Sequence, residues 1–227
     1  MVIDICLQNL PVCICIDRAG LVGSDGQTHQ GIFDLSFLNH LPNLTILSPK
    51  DAIELDEMLK FSYDYKYPLA IRYNNGISNN FSKHKNFDLT WEKVFWQEEA
   101  QVTILACGYR MNSLALQVRD ATNIKINVVN ARVVKPLDFN TLDSINTPII
   151  TLEENVLNGG FGRSVQSYYL DKEISKKIKC FGVKEEFISH ASVESQLKKS
   201  GLYVENIVNE VNKLVWEKGK EEQFISC

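Results

Sequence analysis

Apolar positions along the chain fall into short runs rich in β-branched residues, and between these runs apolar side chains recur every three or four positions. That alternation is the signature of βαβ units around a parallel sheet, so the fold class read from it is α/β. In a first block the runs predict strands at Val12–Ile16, Leu44–Leu47 and Leu69–Tyr73. A second block predicts strands at Lys93–Trp96, Val102–Cys107, Ile124–Val129, Ile149–Leu152 and Ile178–Phe181. The first block also holds the end of a helix at residues 2–9, a short helical segment at Phe33–Asn39, and a helix that opens at Ser48-Pro49-Lys50-Asp51 and runs to Tyr65. There serine can cap free N–H groups, proline fits a first turn and aspartate complements the positive end of the dipole. Near the end, Val204, Ile207, Val208, Val211, Leu214 and Val215 line one helical face and predict a helix packed on the second sheet. The segment from Lys218 is charged and then mixed, which predicts a loose tail at 219–227.

The first block is the odd one. Its opening strand is almost continuously apolar, the pattern of a strand covered on both faces, yet too few helices are present to cover it. A three-stranded parallel fragment would leave apolar surface and an unpaired edge, so the chain is expected to begin inside a domain. The third strand stops at Asn74-Asn75-Gly76, and the Asn-, Lys- and Ser-rich stretch 77–90 reads as a linker between a first unit, 1–76, and a second, 91–218.

With 44% hydrophobic and 23% charged residues among 227, the chain sits near the soluble globular average. This speaks against disorder, collagen-like repeats and coiled coil, and leaves material for a sizeable core. A net charge of −4 without a long Lys/Arg run argues against a nucleic-acid partner held by phosphate neutralisation, and leaves room for a local anion site. The longest apolar stretch, Pro11–Ile16, is far short of the roughly 20 residues of a membrane span. The N-terminus has no basic n-region, so the chain reads as intracellular: cytoplasmic, or in a plastid-type organelle. Six cysteines form no CxxC pair; Cys13 and Cys15 share a strand face and read as buried thiols acting as small hydrophobes. Four scattered histidines lack zinc-site spacing, and no metal ligands are assigned.

The stretch that carries chemistry is residues 17–31, DRAGLVGSDGQTHQG. It leaves the carboxyl end of a buried strand, where open α/β sheets place ligands. Its glycines permit left-handed backbone and close approach to a ligand. Arg18, Asp25, Thr28 and His29 supply a forked cation suited to phosphate, a carboxylate, a hydroxyl and an imidazole titrating near neutrality. The alternative is a surface turn held by Asx-type hydrogen bonds.

The string DRAGLVGSDGQTHQGIFDLSFL, followed by SPKDAIELDEML and AIRY, resembles the 1-deoxy-D-xylulose-5-phosphate synthase family of transketolase-like, thiamine-diphosphate enzymes. Downstream, Ala131–Asp138 (ARVVKPLD), Thr151–Asn155 (TLEEN) and Gly159–Gly162 (GGFG) are similar to landmarks of that family's C-terminal domain. The resemblance implies the rear part of a pyrimidine-binding domain at 1–76 and a complete transketolase C-terminal-like domain at 91–218. It implies condensation of pyruvate with glyceraldehyde 3-phosphate, with loss of carbon dioxide, to the isoprenoid, thiamine and pyridoxal precursor 1-deoxy-D-xylulose 5-phosphate. By motif match, Arg18 holds the acceptor phosphate, Asp25 contacts its hydroxyl and His29 is the catalytic proton-transfer group. The implied cofactors are thiamine diphosphate and magnesium, whose GDG motif, activating glutamate in an AEQH-like context and stacking aromatic belong to an upstream portion. None has a counterpart in residues 1–16, so this chain is expected to lack most binding groups for both, to be inactive alone, and to need the missing N-terminal portion within a homodimer.

One departure bears on affinity: where the family continues AxRYPRG, this chain reads Ala70-Ile71-Arg72-Tyr73-Asn74-Asn75-Gly76, so the second phosphate arginine is replaced by Asn75. Exchanging a charged, forked contact for a neutral amide loses about 1 to 2 kcal/mol. Arg72 reads as a strand-end residue, not as the missing group. Glu153 and Glu154, adjacent on a strand end, point to opposite sides and read as structural contacts. Gly159–Gly162 opens a helix and reads as close packing, with anion binding the lesser alternative. Two other classes remain open: a non-catalytic dimerisation or regulatory module that keeps the fold, and a 2-oxo-acid dehydrogenase β-type subunit, which would carry an activating glutamate not found here.

Overall fold

The computed structural model describes residues 1–76 and 86–225, with side chains to 217. In chain order the elements are β1 (Cys13–Ile16), α1 (Asp34–Leu38), β2 (Thr45–Leu47), α2 (Ala52–Asp64), β3 (Leu69–Arg72), β4 (Glu92–Phe95), β5 (Val102–Ala106), α3 (Tyr109–Asp120), β6 (Ile126–Asn130), β7 (Val133–Lys135), α4 (Phe139–Ser144), β8 (Ile149–Val156), α5 (Phe161–Asp171), β9 (Ile178–Val183), α6 (Val193–Lys199) and α7 (Val204–Ile225). They build two sheets, ordered β1-β3-β2-β7 and β4-β6-β5-β8-β9. In the first, β1 and β2 flank β3 in parallel, with Cys13 and Thr45 both opposite Leu69, and β7 closes the far edge antiparallel to β2. In the second, β4 alone runs antiparallel.

Strands β5, β6 and β8 are buried at every residue, which is why their sequences show no in–out alternation. Helices α3 and α7 cover one face, where Met111, Val118, Ile207 and Val211 pack on Ile104, Ile126 and Ile150. Each such side chain contributes about 1.5–3 kcal/mol by leaving water. The other face meets the first sheet, and Leu47, Ile71, Leu105, Val129 and Phe161 belong to one continuous core. Polar contacts reinforce this junction: buried Lys50 reaches both Glu54 and Glu92, and Asn130 Nδ2 donates to both Glu54 oxygens at 3.0 Å.

Several expectations change. The first unit borrows β7 from the second; three residues before Pro136 give too short a run to register as a strand. Helix α2 is capped by Asp51, whose Oδ1 accepts from Glu54 N–H (2.8 Å), and not by Ser48. β1, expected to be covered, is a sheet edge: Cys15 is exposed and is no core thiol, whereas half-buried Cys13 packs against the core. Val2, Ile3, Leu7 and Val12 are exposed around it. Helix α7 continues to Ile225 instead of giving way to a loose tail after Lys218. Most of the expected linker, residues 77–85, lies outside the described residues; its end is tied down by Arg132, which bonds Asp88 (2.6 Å) and Thr90 O (2.7 Å). Among the described residues no helix is long and apolar enough to cross a membrane.

Candidate functional site

The chain leaves β1 at Asp17 and at once enters the glycine-rich loop. Arg18 is held at φ +62°, in the left-handed region, which costs a non-glycine residue about 1 kcal/mol or more. Its side chain is half exposed, with Nε 3.4 Å from Asp25 Oδ2 and Nη1 3.3 Å from Asp17 Oδ2. Exposed pairs of this kind contribute at most about 1 kcal/mol, so a more highly charged anion competes for the guanidinium at little cost. Of the three residues given roles by motif match, the structure therefore brings Arg18 and Asp25 together. His29 is exposed, with Nδ1 2.8 Å from Thr28 Oγ1. Among the described residues no hydrogen bond or ion pair joins it to Arg18 or Asp25.

Beside the loop, at the carboxyl ends of β1 and β3, lies a cleft of about 290 Å³ lined by Asp17, Tyr73, Asn74, Asn75, Gly76 and Tyr109. Asn75, at the position of the expected arginine, is exposed on its rim, and Arg110 Nη2 approaches its carbonyl at 3.5 Å. Arg72 is the strand-end residue it was read as: 2% exposed, it donates to both oxygens of Asp34 (2.7 and 3.1 Å) and to Gly31 O (3.3 Å). Burial opposes its charge, but Asp34 prevails and holds its pKa above the ordinary value.

The inner half of the loop rests on side chains from the second block. Glu154, 2% exposed, accepts from Leu21 N–H (3.2 Å), Asn74 Nδ2 (2.9 Å) and Arg110 Nη1 (2.7 Å). Gln196 on α6, equally buried, accepts from Gly23 N–H at 3.1 Å. Neither Arg110 nor Gln196 carries a sequence signal; one polar residue on an amphipathic helix looks like any solvated position. Glu154 did carry one, a charge inside a fully buried strand. Its neighbour Glu153 faces the other way and accepts from Phe161 N–H (2.9 Å) and Gly162 N–H (2.8 Å), so the start of α5 is taken by an internal carboxylate. A Cβ on Gly162 would meet Thr151 Oγ1 at 2.4 Å, the close packing expected of that glycine. Burial pushes Glu153 up to about 7, against the lowering effect of those two N–H groups.

The acidic groups around the loop are thus engaged: Asp17 and Asp25 by Arg18, Glu153 and Glu154 by internal donors. Among the described residues no group of three or more His, Cys, Asp or Glu gathers to hold a metal ion.

Two family descriptions match the chain, "Transketolase, pyrimidine binding domain" over residues 1–79 and "Transketolase, C-terminal domain" over residues 92–207, the latter more than half its length. The chain belongs to the transketolase family. Within the family it is 45% identical over 220 residues to a 1-deoxy-D-xylulose-5-phosphate synthase of Clostridium tetani, and 39% identical over 215 residues to one of Caldanaerobacter subterraneus. These alignments take in 93% and 92% of the chain but 35% and 34% of the relatives, so it spans about a third of their length. Among solved structures, the inactive β4 tetramer of a split-gene transketolase superposes with a TM-score of 0.82 at 27% identity, covering 93% of this chain and 69% of that one. A mutant transketolase from Pichia stipitis superposes at 0.73 with 21% identity, over 94% of this chain and 32% of the other, a likeness of fold.

Proposed function

We propose that this chain is the C-terminal part of a 1-deoxy-D-xylulose-5-phosphate synthase, with residues 1–76 contributing to the pyrimidine-binding domain and 91–218 forming the C-terminal domain. The observation that carries the reading is the pairing of Arg18 with Asp25 on a strained, anchored loop beside a cleft at the strand ends. In this reading Arg18 exchanges its carboxylate partners for the phosphate of glyceraldehyde 3-phosphate, Asp25 receives the acceptor hydroxyl, and His29 passes a proton at the reacting centre. Thiamine diphosphate and magnesium, and with them the activation of pyruvate, belong to the remaining portion of the enzyme. The bare edge of β1 and the apolar residues around it are where that portion packs. The assembled enzyme is a cytoplasmic homodimer feeding isoprenoid and thiamine synthesis. A solved relative of this architecture described as inactive in its β4 form is a parallel for a rear portion that needs its complement.

The test is reconstitution. The purified chain is expected to form no product from pyruvate and glyceraldehyde 3-phosphate, and to gain activity when the N-terminal portion of a synthase is added. His29→Ala in the assembled enzyme is expected to lower kcat by about 10²-fold, the usual range for loss of a general acid–base group, with the melting temperature unchanged. A reconstituted enzyme whose His29→Ala variant turned over at the parent rate would remove His29 from the chemistry.

A further inference from the structure

Residues 19–21 are the most fully determined part of the loop, because each of their backbone polar groups has a partner. Ala19 N–H donates to Tyr73 O (2.9 Å), and Ala19 O accepts from Asn74 Nδ2 (2.7 Å). Gly20 and Gly31 exchange both of their bonds, at 2.6 and 2.9 Å. Leu21 N–H donates to Glu154 (3.2 Å), and Leu21 O accepts from Arg110 Nη1 (2.9 Å). The ring closes through the Glu154 carboxylate, which takes Asn74 on one oxygen and Arg110 on the other. A buried carboxylate must find donors. Here they come from three places far apart in the chain: the loop, the end of β3 and the first turn of α3. Directly before this stretch stands Arg18 at φ +62°, a conformation that a non-glycine residue keeps only where its neighbours over-determine it. The outer residues 24–29, by contrast, are exposed or half-exposed.

We infer that Glu154, with Arg110 and Asn74 as its donors, is a positioning residue that fixes the left-handed backbone at Arg18 and so aims its guanidinium. Glu154 touches no substrate; it acts through the ring. As a statement about the acceptor site the inference rests on the reading of Arg18 as a phosphate ligand, whereas its structural half can be tested without that reading.

The first experiment is residue-resolved amide hydrogen exchange on this chain carrying Glu154→Gln, which keeps the shape and turns a donor toward the incoming N–H groups. Exchange at Ala19, Gly20 and Leu21 is expected to quicken about tenfold or more while amides of β5 and β8 keep their protection, the mark of local and not global loosening. Unchanged protection at 19–21 would overturn the inference. Should Glu154→Gln not fold, Asn74→Ala, which removes one donor, is expected to quicken the same amides about threefold, and unchanged exchange there would overturn it equally. In the reconstituted enzyme, Glu154→Gln is expected to raise KM for glyceraldehyde 3-phosphate about tenfold with KM for pyruvate unchanged. The double variant with Arg18→Ala is then no worse than Arg18→Ala alone, because both act through one group. Additive losses, or equal rises in both KM values, would show Glu154 to be merely structural. An inactive wild-type reconstitution would sink the functional reading and leave the exchange result standing.

Discussion

The inner and outer halves of the glycine-rich loop each carry glycine at positive φ, Gly20 and Gly23 in one and Gly26 in the other, and reach opposite states. Residues 19–23 are buried, bolted to Glu154 and Gln196 of the second block. Residues 24–29 are exposed or half-exposed and carry Asp25 and His29. A glycine-rich composition therefore does not by itself mean freedom to move. Two things separate the halves: the inner one carries apolar Ala19, Leu21 and Val22, which bury, and side chains from elsewhere in the fold receive its backbone hydrogen bonds, so that a fixed mount stands next to groups accessible to a ligand.

The strongest way to break this comparison is to remove the mount. Arg72→Met leaves Asp34 charged and unpaired at 6% exposure beneath Gly31, and is expected to cost about 3–5 kcal/mol in urea unfolding. A loss below about 1 kcal/mol would mean that the pair does not support the loop. The comparison is sharpened by two glycines of similar backbone angle, Gly20 at φ +83° and Gly26 at φ +75°. A Cβ on Gly20 would lie 2.8 Å from Glu154, whereas nothing lies within 4 Å of one on Gly26. Gly20→Ala is expected to cost about 3 kcal/mol, from strain plus overlap, and Gly26→Ala about 1 kcal/mol from strain alone. Equal costs would erase the distinction between the halves.

The adjacent acids Glu153 and Glu154 offer a finer contrast. Glu153 is pushed up from 4.5 to about 7 by burial, so the folded chain holds this proton more tightly than the unfolded chain does. Its contribution to stability is full below about pH 4.5 and is lost as the pH rises through 7. Melting curves of Glu153→Gln are expected to show a shallower decline over that window than the parent. Identical slopes would mean that Glu153 titrates alike folded and unfolded.

The fold was legible wherever a run of apolar residues was long enough to bury itself. The stripe on α7 and the strands β5, β6 and β8 follow from spacing alone, and Ile207, Val211 and Leu214 are buried as their periodicity requires. β7 was not legible, since three residues pairing with β2, Ile46 opposite Lys135 and Leu47 opposite Val133, leave no local trace. Ser48 and Asp51 are both good capping residues; Glu54 decides between them by reaching back to Lys50 N–H (2.7 Å). β1 misled because its apolar composition describes a covered strand, while among the described residues it pairs with β3 alone. In the candidate site, Arg18, Asp25 and His29 stood out because they share one short loop. The supports Glu154, Arg110, Asn74 and Gln196 lie outside the loop in sequence and converge on it only in three dimensions. Glu153 and Glu154 do point to opposite sides, as alternation on a strand demands, but which of them serves the loop depends on what each side faces.

The central claim, that this loop handles a phosphorylated acceptor, is tested most directly by acceptor selectivity in the reconstituted enzyme with Arg18→Ala. KM for glyceraldehyde 3-phosphate is expected to rise about 10- to 100-fold, the range for losing a hydrogen bond to a charged group, while KM for unphosphorylated glyceraldehyde stays within about twofold. An equal rise for both aldehydes, or none for either, would contradict the account.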